Sequence, residues 1–174
     1  MVVVADPRQQ QFEQIAAEVA EPIRRYALRR TDPETADDVL ADTLLVAWRR
    51  LDEVPPDGRL PWCYAVAANC LANLNRSARR QRNLVQRIVQ LDPPSDTADA
   101  LELPDPQVHR ALGTLRPEDQ ELLRLSAWED LSPAGIATVL GLSANAVRIR
   151  LHRARRRFAA ALTAETPSTL PDTE

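Results

Sequence analysis

A 174-residue chain with 4% aromatic residues and only 4 glycines, rich in alanine, leucine and arginine, has the composition of helices rather than strands, and length for one ordinary domain or two small ones. It contains no run of about 18 apolar residues to cross a membrane, and residues 1–6 lack the basic and apolar stretches of a secretory signal, so no membrane insertion and a cytoplasmic location are expected. A net charge of −3 argues against a nucleic-acid partner, but the charge is segregated: all 22 basic residues are arginine, with six in residues 59–87, six in residues 148–157 and no acid in either stretch.

In chain order, Phe12, Ile15, Ala16, Val19 and Ile23 recur at helical spacing and predict a first helix, with Pro22 expected to kink or restart it. Thr31-Asp32-Pro33-Glu34 reads as the start of a second helix, Asp32 capping and Pro33 in the first helical position. Leu40, Leu44, Ala47, Trp48 and Leu51 form its apolar stripe, which favours a core role for Trp48, while Asp37, Asp38, Asp42 and Arg49 lie off the stripe. Residues 54–58, with two prolines and a glycine, break the chain. A third helix is expected to open at Pro61 or Trp62, with Trp62, Val66, Asn69, Cys70 and Asn73 broadly on one face, and to end in the basic residues 76–82. Cys63 and Cys70 share a face of that helix and read as small buried residues; about 10 Å of helical rise between them argues against a disulfide.

Residues 91–106 are acidic, rich in proline and free of basic residues, the composition of an extended linker. Beyond it, Val108, Leu112 and Leu115 mark one short helix, and Arg116-Pro117-Glu118-Asp119 opens another running through Leu122, Leu123 and Leu125. Ser132 can cap a helix over residues 133–140, Gly141-Leu142-Ser143 makes a tight turn, and Ser143 can cap a long final helix with Val147, Leu151, Ala154, Phe158 and Leu162 on its apolar face. The expected fold is therefore all-α: two small helical domains, residues 8–88 and 106–163, joined by an acidic flexible linker, residues 89–105, and followed by a disordered tail, residues 164–174.

A short helix, a glycine-containing turn and a longer basic helix make the pattern of a helix-turn-helix, whose second helix enters the DNA major groove. Asn145, Arg148, Ile149 and His152 then stand where base edges are read, asparagine suiting adenine and arginine guanine. Arg150, Arg153, Arg155, Arg156 and Arg157 suit phosphates or flanking surfaces. The other reading of these residues is a solvated basic face on a plain helical hairpin.

Residues 131–157, and above all Val147-Arg148-Ile149-Arg150-Leu151-His152-Arg153-Ala154-Arg155, resemble region 4 of bacterial RNA polymerase sigma factors, in particular the extracytoplasmic-function group. Two places depart from that pattern: Pro133-Ala134-Gly135 replaces a more polar stretch, and Ile149 stands where a small polar residue is usual. Residues 37–49 and 61–69 resemble region 2 of the same group, with Cys63, Ala65 and Ala68 in place of larger or basic residues. The resemblance implies a sigma factor, itself not an enzyme, that directs core RNA polymerase to a promoter. It implies that Asp38, Asp42, Thr43 and Trp48 bind polymerase at the clamp helices of the β′ subunit, and that Trp62, Asn69, Arg76, Arg79 and Arg80 read the −10 element. A flipped base is expected in a pocket formed by residues 54–60 and Asn69. Trp62 can stack on a base, although its place on the apolar stripe favours packing. Asn145, Arg148, Ile149, His152, Arg153 and Arg156 are implied readers of the −35 element, in a domain that also meets the flap of the β subunit. An anti-sigma factor is the implied regulator, and the acidic linker either tethers the domains or mimics nucleic acid in the polymerase channel.

On the motifs alone two rivals stand beside this reading. One is a helix-turn-helix repressor or activator that binds its operator without polymerase; the other is a helical interaction module with no DNA role. An enzyme is weaker: the only two histidines, His109 and His152, are far apart, and no phosphate loop, nucleophile elbow or metal-spaced cluster is present, so neither metal nor cofactor is expected.

Overall fold

The computed structural model describes residues 6–88 and 105–165, whose regular structure is helical throughout. The chain divides into two compact units. The expected linker, apart from Asp105, and the tail from residue 166 onward lie outside the described residues.

Three helices build the N-terminal unit: α1 (Pro7–Leu28), α2 (Pro33–Arg49) and α3 (Arg59–Ile88), with a single 3-10 turn, Leu51–Glu53, after α2. Two of these helices start at a proline, of which Pro33 was anticipated, and both starts are capped. Asp6 accepts from the amide of Arg8, and Asp32 accepts from both the amide and the hydroxyl of Thr35, at 3.0 and 2.7 Å. Each helix packs against the other two. The core takes Ile15, Val19, Ile23, Tyr26 and Ala27 from α1, Ala36, Val39, Thr43 and Ala47 from α2, and Cys63, Tyr64, Ala67 and Leu71 from α3. The rings of Tyr26 and Tyr64 meet with centroids 5.1 Å apart.

Two sequence expectations are corrected here. α1 runs through Pro22 without restarting, because the fully buried Val19 and Ile23 on either side hold both halves in the same core. Of the expected stripe, Ala47 and Leu51 are buried, but the α2 core line is completed by Ala36, Val39 and Thr43 rather than by Leu40, Leu44 and Trp48. The Ala36, Val39 and Thr43 side chains are small, and the Thr43 hydroxyl is satisfied by donating to the Val39 carbonyl at 2.7 Å. Trp48 is consequently pushed to the surface, with 37% of it exposed.

The C-terminal unit contains α4 (Pro106–Gly113), α5 (Pro117–Ala127), α6 (Pro133–Leu140) and α7 (Ala144–Glu165). Asp105, expected in the linker, caps α4, and α7 extends two residues into the expected tail. α4 and α5 pack on α7, and Leu112, Leu122, Leu125, Ile136, Val147, Leu151 and Ala154 are buried. Ser132 accepts from the Gly135 amide and caps α6, as its position suggests. Gly141 ends α6 with φ +64°, a left-handed conformation that favours glycine, and Ser143 then caps α7 by accepting from the Ala146 amide at 3.2 Å.

Candidate nucleic-acid and partner interfaces

α7 presents two opposed faces. Val147, Leu151 and Ala154 are buried, and residues spaced i, i+4, i+7 and i+11 on the far side, Asn145, Ile149, His152 and Arg156, are all exposed. Arg148 and Arg153 flank that line and are exposed as well. The six residues expected to meet DNA therefore share one solvent-facing surface, and no acid interrupts it. Two neighbouring arginines turn out to be structural. Arg157 donates to Asp119 at 2.5 Å, where the carboxylate is only 10% exposed, and Arg155 donates to Ser126 across the packing contact with α5. Arg150, Arg153 and Arg157 also line a cleft with Arg116, Glu118 and Asp119 at the start of α5, a lining of mixed charge.

α3 carries a second polar line. Trp62, Asn69 and Arg76 recur every seven residues, two helical turns apart, on a face turned away from Cys63, Ala67 and Leu71. Asn69 and Arg76 are exposed, and Arg76 donates to the exposed Asn73 at 2.5 Å. Trp62 is half-buried, with the Arg50 guanidinium 5.5 Å from its ring centroid, so it belongs wholly neither to the core nor to solvent. Arg79 and Arg80 continue along the helical backbone of α3. The helix opens at Arg59, earlier than expected, and Arg59 ties that end to α1 through Glu18 at 3.0 Å. Asn69 lies ten residues further on, about 15 Å along the axis.

The outer side of α2 is mixed in chemistry. Asp38, Asp42 and Arg49 are exposed, and with them Leu45 at 44% and Trp48. Thr43, expected to touch a partner, is fully buried and can only position the helix. Trp48 is held edge-on against Phe12, with centroids 5.2 Å apart, while Arg8 donates to the Trp48 carbonyl at 2.9 Å and places its guanidinium 5.2 Å from the ring centroid. Leu45 was not among the residues picked out from sequence, and the contact of Arg8 with Trp48 joins residues 40 apart in the chain.

Neither cysteine is poised for chemistry. Burial, assisted by the charge of Glu18, pushes the Cys63 thiol up to about 12, and burial raises Cys70 as well. Among the described residues no group of three or more His, Cys, Asp and Glu side chains could hold a metal ion, and no helix is long and apolar enough to cross a membrane.

Comparison with known proteins shows the family. Residues 106–158 match the model of sigma-70 region 4. The chain is 37% identical over 144 residues to the ECF RNA polymerase sigma factor SigL of Mycobacterium tuberculosis, covering 76% of this chain and 77% of SigL. It is 29% identical over 178 residues to the RNA polymerase sigma factor CnrH of Cupriavidus metallidurans, covering 93% and 92% of the two chains. The solved structure of CnrH in complex with the cytosolic domain of CnrY superimposes with a TM-score of 0.61 at 28% identity, covering 91% of each chain. The chain belongs to the extracytoplasmic-function family of RNA polymerase sigma factors, non-enzymatic polymerase subunits that direct transcription initiation.

Proposed function

We propose that the two units divide promoter recognition between them. The N-terminal unit, residues 8–88, acts as region 2: it docks on the β′ clamp helices of core polymerase through Asp38, Asp42, Leu45 and Trp48, and engages the −10 element along Trp62, Asn69, Arg76, Arg79 and Arg80. The C-terminal unit, residues 106–163, places α7 in the major groove of the −35 element, with Asn145, Arg148, Ile149 and His152 at base edges and Arg153 and Arg156 at phosphates; the same unit meets the β flap. The carrying observation is the exposed face of α7, six groove-compatible side chains opposite a continuous buried line.

The polar line on α3 supports the −10 assignment. CnrH is solved with the cytosolic domain of CnrY, and this supports an anti-sigma protein as regulator of this chain too, acting in the cytoplasm.

Substituting Asn69 by alanine should slow promoter opening, read by permanganate reactivity of unpaired thymines, and leave duplex −35 binding by the holoenzyme near wild type. Equal loss of both would remove Asn69 from the −10 role.

A further inference from the structure

Ile149 is the feature that sigma-factor membership does not explain. It is one of three large hydrophobic residues exposed among the described residues, 46% accessible, in the middle of a surface otherwise made of Asn145, Arg148, His152, Arg153 and Arg156. It lies almost directly opposite the buried Val147 and Leu151, so it contributes nothing to the core. A β-branched residue there also lowers helix propensity relative to alanine. An apolar, conformationally stiff side chain on a basic, groove-sized helix face has one complementary group in the major groove, the C5-methyl of thymine. The neighbouring side chains offer only polar and charged groups to phosphates and base edges, which leaves methyl recognition to Ile149.

The geometry points to Ile149 as a specificity-determining residue that selects thymine at one position of the −35 element by packing on its 5-methyl group; this rests on α7 being the groove-reading helix. Asn145 lies one turn before Ile149 and His152 three residues after it, so the selected thymine falls between the base pairs those two approach. Serine at position 149 would lose the methyl contact while keeping the rest of the surface.

The test uses holoenzyme made from core RNA polymerase and the full chain. The −35 sequence is first selected from a randomised duplex, and each thymine on either strand is then replaced singly by deoxyuridine, which lacks only the methyl. Wild-type holoenzyme should lose about fourfold in affinity at one thymine, the fold-change for one buried methyl-sized group, and nothing at the others. Ile149→Ser should abolish that sensitivity and accept other bases there, and Ile149→Val should retain part of it. Unchanged thermal unfolding of both variants excludes a folding defect. The inference is overturned if the selected element holds no methyl-sensitive thymine, or if the sensitivity persists in Ile149→Ser. If selection shows no −35 preference, and Asn145→Ala and Arg148→Ala leave binding unchanged, the groove-reading assignment of α7 fails and the Ile149 role with it.

Discussion

Single residues decide where the helices of this sigma factor start, stop and stay inert. Gly141 turns the chain between α6 and α7 at φ +64°, and nothing lies within 4 Å of where a Cβ would stand. The cost of Gly141→Ala is therefore conformational, and chemical denaturation should show about 1 kcal/mol of lost stability. Asp32 illustrates a pH effect. Its hydrogen bonds from Thr35, the backbone amide first, hold the carboxyl below the ordinary range. Because the folded value is depressed, the cap contributes fully above the unfolded pKa and is lost as pH falls through the folded one. Wild type and Asp32→Asn should accordingly converge in thermal stability as pH drops below the usual carboxylate range. Cys63 predicts a chemical contrast: with its thiol pushed up to about 12 and buried, it should resist iodoacetamide at neutral pH in the folded protein and react once the chain is unfolded.

At the scale of helices, legibility depended on where the large apolar residues were spent. α7 was readable almost completely, because Ser143 marks its start and Val147, Leu151 and Ala154 form an uninterrupted line opposite polar groups. In α2 the same reasoning found Ala47 but misplaced Leu40, Leu44 and Trp48. Its core positions are filled by Ala36, Val39, Thr43 and Ala47, while Leu45 and Trp48 face solvent. Hydrophobicity alone cannot distinguish a residue that faces the protein's own core from one left at the surface. Leu45→Asp should therefore leave stability within about 0.5 kcal/mol yet weaken assembly with core polymerase, measured by gel filtration or fluorescence titration. The arginines of α7 divide in a way that sequence could not show, since their partners on α5 are about 30 to 40 residues away. Arg157→Ala strips the cation from a carboxylate that is 10% exposed and should cost about 2 kcal/mol of stability. Arg156→Ala should be nearly neutral in stability but reduce the salt dependence of DNA binding by a slope of about 1.

For the molecule as a whole, the two-block division and the all-helical class followed from the two arginine clusters, the capped helix starts and the acidic proline-rich stretch between the blocks. The −3 net charge is a poor guide to partners here, because the arginines are clustered apart from the acids and a local basic patch needs no net positive charge. Less legible was the facing of individual α3 positions: Val66, grouped in sequence with Trp62, Asn69 and Asn73, is buried, whereas Asn69 and Asn73 are exposed. The division of labour between the units is tested most directly by transcription from a promoter library, randomised at both elements, with core RNA polymerase and either wild-type chain or a chain carrying Asn145→Ala and Arg148→Ala. Initiation should depend on the added chain, and the double variant should relax the −35 preference while leaving the −10 preference intact. Absence of initiation with folded wild-type protein, or equal loss of both preferences in the variant, would contradict it.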